Sequence, residues 1–204
     1  MYYGIYKNVR NAAWQCLIDF KVDSLPVDVI RIAKEAGIKV IENKDINVLG
    51  PYENGKVFYM KRQWFIVYDE RVPMERLRRT IAHELGHVFL GHRVAHKKYP
   101  NVSKAERVEK GEEQATAFAV RLLCPACVLK DLNVQSADDI IKYCMVDRGT
   151  AEDRMSRMKK LYKRNKFLTD PLEKQVYDNF SQYIQDELFK KENAKGIEDG
   201  NGEA

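Results

Sequence analysis

The chain has 204 residues, 45% of them hydrophobic, enough for one domain of ordinary size with a sizeable core. Its 35 basic and 30 acidic residues are interspersed and leave a net charge of +5, which permits an acidic partner without requiring one. No apolar run reaches the length of about 18 residues that a membrane span needs, MYYGIYKNVRNAAWQ lacks a signal-peptide core, and Cys16, Cys124, Cys127 and Cys144 are too scattered for a disulfide framework. A soluble, cytoplasmic protein with reduced thiols is therefore expected.

Val9, Ala13, Cys16, Leu17 and Phe20 fall at helical spacing and predict a first helix. Ser24 is placed to cap a second, with Pro26 in its first turn and Gly37 as its stop. IKVIE (38–42), KVFYM (56–60) and QWFIVYD (63–69) read as strands. Asn54-Gly55 marks a turn before the second strand, and Lys61-Arg62 joins the last two as a tight hairpin. Pro73 opens a third helix, which carries His83-Glu84-Leu85-Gly86-His87. After the polar loop GHRVAHKKYPNVS, residues 105–123 form a fourth helix, stopped by Pro125. Residues 136–166 read as two short helices split by Asp147-Arg148-Gly149. Asp170-Pro171-Leu172-Glu173 starts a last helix with the apolar stripe Leu172, Val176, Phe180 and Ile184. From Lys191 the chain has almost no apolar residues and reads as a disordered tail. The fold class is α+β: mainly helical, with a small antiparallel sheet before the HELGH helix and further helices after it.

Two histidines four residues apart on a helix lie one turn and about 40° apart, so both imidazoles reach one ion. Glu84 sits about 100° from His83 and leans over such an ion without being consumed as a ligand. A zinc-bound water has its pKa lowered to about 7, and a neighbouring carboxylate takes its proton. That chemistry is why H-E-x-x-H recurs on helices. The bland alternative is three polar residues at a chance spacing. Against it, Leu77, Ile81, Leu85 and Val88 form a stripe about 80° wide, and the polar trio flanks it. Polar groups beside a buried stripe need partners, and a metal is one.

A catalytic zinc has three protein ligands and one open position. The long metzincin pattern fails, because Leu90 and Arg93 stand where glycine and histidine are required. His92 lies about 140° from His87 and does not share the ion from the same regular helix. The fourth helix has the stripe Ala115, Phe118, Ala119 and Leu122. Relative to Ala115, Glu112 lies about 60° away, Glu109 about 120° and Glu113 about 160°. Periodicity selects Glu112, with Thr116 four residues on as a supporting hydrogen-bond partner. His, His and carboxylate suit zinc and also manganese.

RRTIAHELGHVFLGH followed by EEQATAFAVRLLCP resembles the ImmA/IrrE family of metallopeptidases, as does the order of elements around them. The more specific part is the E-x-x-A-x-x-F-A-x-x-L-L-x-P block. The resemblance implies a gluzincin-like peptidase domain over residues 1–168, its core at about 25–165, then a C-terminal helix (169–190) and the tail (191–204). It implies His83, His87 and Glu112 as zinc ligands and Glu84 as the catalytic carboxylate. It also implies a narrow substrate, a helix-turn-helix repressor of a mobile element or stress regulon. Thr116 stands where the family often has Asn or Asp, and Cys124 where it often has Met. A substrate strand is expected to pair with the edge at residues 63–69. For the oxyanion, His92, His96 and Tyr99 in the loop after the motif are all candidates.

Cys124-Pro-Ala-Cys127 has redox spacing but no second pair and no preceding thioredoxin-like strand, so these read as core or loop cysteines. SADDIIKYCMVDRGTAEDRMSRMKKLYKRNK weakly suggests a helix-turn-helix ending in Lys159, Lys160, Lys163, Arg164 and Lys166. A packed helical pair with a solvated basic end explains it equally, and direct nucleic-acid binding is not expected. The competing readings are a DNA-binding regulator and an inactive, metal-bound binding module.

Overall fold

The structure, a computed structural model, describes residues 9–92 and 104–200. Helix α1 (Val9–Asp19) buries Ala12, Ala13, Cys16 and Leu17 along one face. Helix α2 (Val29–Glu35) starts later than the sequence suggested. Asp28, not Ser24, is its cap, and its carboxylate accepts from Arg31 N–H at 2.9 Å. Asp28 directly precedes Val29, so a helix capped there turns Val29, Ile32 and Ala33 into the core and leaves Ile30 on its outer face. Ser24 and Pro26 lie upstream, where the Leu25–Pro26 peptide is cis. Gly37, at φ +71°, ends the helix as expected.

Strand β1 (Ile38–Glu42) is followed by a single-turn helix α3 (Asn43–Ile46) that the sequence did not announce. Strands β2 (Gly55–Met60) and β3 (Gln63–Tyr68) form the predicted hairpin, with Lys61 and Arg62 both at positive φ. The sheet order is β1-β3-β2. β2 pairs antiparallel with β3, whereas β1 pairs parallel with it, so the sheet is mixed rather than wholly antiparallel. β3 is therefore the central strand. The free edge beside the later helices belongs to β2, and the expectation that residues 63–69 offer an edge is corrected. A hairpin followed by a helix cannot reveal which of its strands an upstream segment joins.

Helix α4 (Met74–Leu90) carries HELGH, and α5 (Lys104–Leu123) packs along it. Pro125 does more than stop α5: it serves as the N-cap of a further short helix, α6 (Ala126–Asp131), absent from the sequence reading. Helices α7 (Ala137–Cys144) and α8 (Arg148–Arg164) are the expected pair. Ser136 and Asp139 form a capping box on α7, and the Asp147 carboxylate caps α8. At 17 residues α8 is not short. Helix α9 (Pro171–Gly200) buries Val176, Phe180 and Ile184 and runs on past Lys191, where a disordered tail was expected. Lys, Glu and Ala in that stretch are good helix formers. The α+β class, mainly helical with a small sheet, holds. No described helix is long and apolar enough to cross a membrane.

The four cysteines are buried and free, as expected of core residues. Two buried arginines differ in how they are accommodated. Arg78 donates to the carbonyls of Val27, Cys144 and Met145, tying α4 to two distant segments. Arg154 on α8 is 6% exposed, and its Nε has no hydrogen-bond partner among the described residues. A buried guanidinium left short of partners costs stability that an apolar side chain of similar length does not. Arg154→Met is thus expected to stabilise the fold by about 1–3 kcal/mol. The midpoint of urea unfolding measures this, and a lower midpoint would show that Arg154 has a compensating role.

Candidate metal centre

Two helices build the site. On α4, Leu77, Ile81, Leu85 and Val88 are buried as the sequence stripe predicted. Gly91, at φ +70°, ends the helix with its N–H directed at the carbonyls of His87 and Val88. On α5, Ala115, Phe118, Ala119 and Leu122 are at most 1% exposed. The stripes face each other, and Gly86 sits at the crossing. A Cβ there would stand 3.1 Å from Ala115 Cα and 3.2 Å from its carbonyl oxygen. The glycine inside HELGH thus sets how closely α5 approaches.

That approach brings Glu112 to the two histidines. His83 Nε2 lies 3.1 Å from Glu112 Oε2, His87 Nε2 lies 3.4 Å from Glu112 Oε1, and the two Nε2 atoms are 3.0 Å apart. Bonds of about 2.0–2.1 Å at tetrahedral angles place donor atoms about 3.3 Å from one another. The triangle has that size, and its two imidazoles and one carboxylate are the donor set of a zinc site with an open position. Among the described residues this is the one group of three or more such side chains close enough to share an ion. The donor chemistry and the spacing both fit a first-row divalent ion.

The protonation states suit that use. Burial lowers the pKa of His83, with Glu112 opposing. Burial and repulsion from His83 take His87 down to about 4. Both rings are neutral at pH 7 and present lone pairs. Each also has a partner on its far nitrogen. Thr116 Oγ is 3.3 Å from His83 Nδ1, so Thr116 supports a histidine rather than Glu112. His92 Nδ1 is 3.0 Å from His87 Nδ1, and His92 Nε2 is 3.2 Å from Gln114 Oε1. His92 thus stands behind His87, and it is not placed as an oxyanion donor. His96 and Tyr99 lie outside the described residues.

Glu84 is 8% exposed. Burial, with the negative Glu112 next, raises its pKa to about 7, against a hydrogen bond from the Val57 N–H of β2. The start of β2 lies close over α4: a Cβ on Gly55 would collide with Thr80 Cγ2 and stand 3.8 Å from Glu84 Cγ. A carboxyl group that exchanges its proton near pH 7 is what general acid–base chemistry needs. Gly55, Val57 and Gln114 escaped the sequence reading. Asn54-Gly55 was visible as a turn, but nothing local in the sequence says that the turn lands on Glu84.

An H-E-x-x-H helix crossed by a second helix that supplies a glutamate, with a small sheet over Glu84, defines a metallopeptidase-like domain. Residues 33–156 match the peptidase M78 family, described as the IrrE N-terminal-like domain, and the chain belongs to that family. Among curated proteins none matches. Ten chains of known structure resemble it, among them a Mycobacterium tuberculosis transcriptional regulator with 15% identity and a TM-score of 0.57. That likeness covers 72% of this chain and 46% of the regulator, so the chain spans less than half the regulator's length. At such identity the likeness speaks for the fold alone.

Proposed function

We propose that the chain is a zinc-dependent metallo-endopeptidase that cuts a protein substrate at a specific bond. The observation that carries the reading is the His83–His87–Glu112 triangle beside the buried Glu84. His83, His87 and Glu112 would hold the ion, zinc by preference and manganese by the same donors. Bound there, zinc supplies Lewis acidity toward a peptide carbonyl and lowers the pKa of a water. Glu84 takes a proton from the attacking water and returns it to the leaving amine. Burial under β2 keeps that carboxyl out of bulk water and raises its proton affinity above that of an ordinary carboxylate, which a bound dication would partly offset.

The outer edge of β2 is where an extended substrate segment pairs, with Tyr59 and Met60 exposed beside it. The substrate class we favour is a helix-turn-helix repressor, cut to release the genes it silences. The exposed Lys159, Lys160, Lys163 and Arg164 at the end of α8 offer a grip for an acidic face of that substrate.

The test combines metal content and cleavage. After mild dialysis, the wild type should retain about one zinc per chain and Glu112→Ala clearly less. A co-encoded repressor should be cut once by the zinc-loaded wild type and left intact by Glu84→Gln. Equal metal in wild type and Glu112→Ala would remove Glu112 from the site. Duplex DNA binding that falls with salt and ignores Glu84 would favour a DNA-binding regulator instead.

A further inference from the structure

A neutral imidazole carries its proton on one nitrogen and a lone pair on the other. For His87 to serve a metal through Nε2, its proton must sit on Nδ1. That nitrogen faces His92 Nδ1 at 3.0 Å. Two ring nitrogens so close need one proton between them, and the far end of His92 decides whose it is. There, His92 Nε2 meets Gln114 Oε1 at 3.2 Å. An amide oxygen only accepts, so His92 Nε2 carries the proton and donates. His92 Nδ1 is then bare and accepts from His87 Nδ1–H. His87 Nε2 is left with its lone pair, aimed at His83 Nε2 and Glu112 Oε1.

We infer that Gln114 and His92 form a relay that fixes His87 in the metal-binding tautomer, with Gln114 as the residue that sets its direction. The inference rests on the metal-site reading above. His83 has no such director: the Thr116 hydroxyl at its Nδ1 both donates and accepts, so it tolerates either tautomer. Gln114 lies two residues beyond Glu112 on α5, so one helix supplies both the third ligand and the group that orients the second. The relay also runs in reverse. A donor at position 114 feeding His92 Nε2 moves the proton to His92 Nδ1, and then to His87 Nε2, where it blocks the metal. Gln114 and His92 are positioning residues and touch no reacting atom.

Four variants of the full chain test this: Gln114→Glu, Gln114→Leu, Gln114→Lys, and Glu113→Lys as a charge control on the exposed neighbour. Zinc affinity comes from competition with a chelator, and histidine tautomers come from 15N NMR of the zinc-free protein. Gln114→Glu should bind zinc as well as the wild type and keep the proton on His87 Nδ1. Gln114→Leu should bind about tenfold more weakly, the low end for losing an outer hydrogen bond at a metal site. Gln114→Lys should bind more weakly still, with the proton moved to His87 Nε2, while Glu113→Lys stays within twofold of the wild type. Equal affinity across the Gln114 variants with an unchanged His87 tautomer would overturn the relay, as would loss of affinity in Glu113→Lys equal to that in Gln114→Lys. Failure of the wild type itself to bind zinc would overturn the metal-site reading instead, and the zinc-free tautomers would still decide the relay.

Discussion

Glu84→Gln, stripped of metal, is expected to be more stable than the stripped wild type at pH 8 by about 3 kcal/mol, and no more stable at pH 4. In the unfolded chain Glu84 releases its proton near the ordinary 4.5; in the fold it holds it to about 7. Between those values the folded chain binds a proton that the unfolded chain has released, so stability falls as pH rises through the window and then levels off. A displacement from 4.5 to about 7 is worth about 3 kcal/mol at the plateau. The amide of the Glu84→Gln variant cannot ionise, so that variant escapes the loss. His87, with its pKa held down to about 4, weakens both proteins alike as pH falls below about 6.5, so the difference between them isolates Glu84. Supplying zinc should shrink the gap, because a dication beside the carboxylate favours its ionised form. Urea titrations at pH 4, 6 and 8 measure this, and parallel curves at all three would mean that burial does not hold the Glu84 proton.

The second large effect is expected at Gly86. Replacing it with leucine should cost at least about 3 kcal/mol and weaken zinc binding at least tenfold. A bare Cβ already meets the backbone of Ala115 at 3.1 and 3.2 Å and the Phe118 ring at 3.3 Å, and backbone cannot rotate away. The helices must separate, and Glu112 stands one turn before Ala115 on the helix that moves. Gly86→Ala is the informative companion. Alanine gains about 1 kcal/mol of helix propensity, which offsets the few tenths of an ångström that Ala115 must yield. Its stability should stay near that of the wild type while zinc affinity falls measurably. Thermal unfolding and chelator competition on both variants provide the check. Unchanged zinc affinity in Gly86→Leu would show that the crossing does not govern the site.

What the sequence disclosed, and what it hid, follows from the range of the interactions. His83, Glu84 and His87 are fixed by one helix, and a 3.6-residue period places them without further knowledge. Glu112 was also reachable, because the α5 stripe orients that helix relative to the core. Thr116 was seen as a supporting residue, but its partner, His83, was left to the structure, since the wheel gives a side but not a partner. The relay was invisible: Gln114 and His92 are 22 residues apart and meet only because α4 ends in a left-handed glycine. The order of the strands was hidden for the same reason. Ile38 pairs with Trp64 across the sequence length that contains β2, and nothing within either strand encodes that choice. Ser24 lost the cap to Asp28 because both are good caps, and burial of Val29 decides between them.

The three candidate metal ligands all come from one pair of consecutive helices, with His83 and Glu112 29 residues apart, while the sheet that covers Glu84 lies upstream. Both halves of the site are built by closing loops of nearly equal span. The α4–α5 crossing brings together residues 29 apart and the β1–β3 pairing residues 26 apart, and loop entropy grows only slowly with length, so neither closure is favoured to come first.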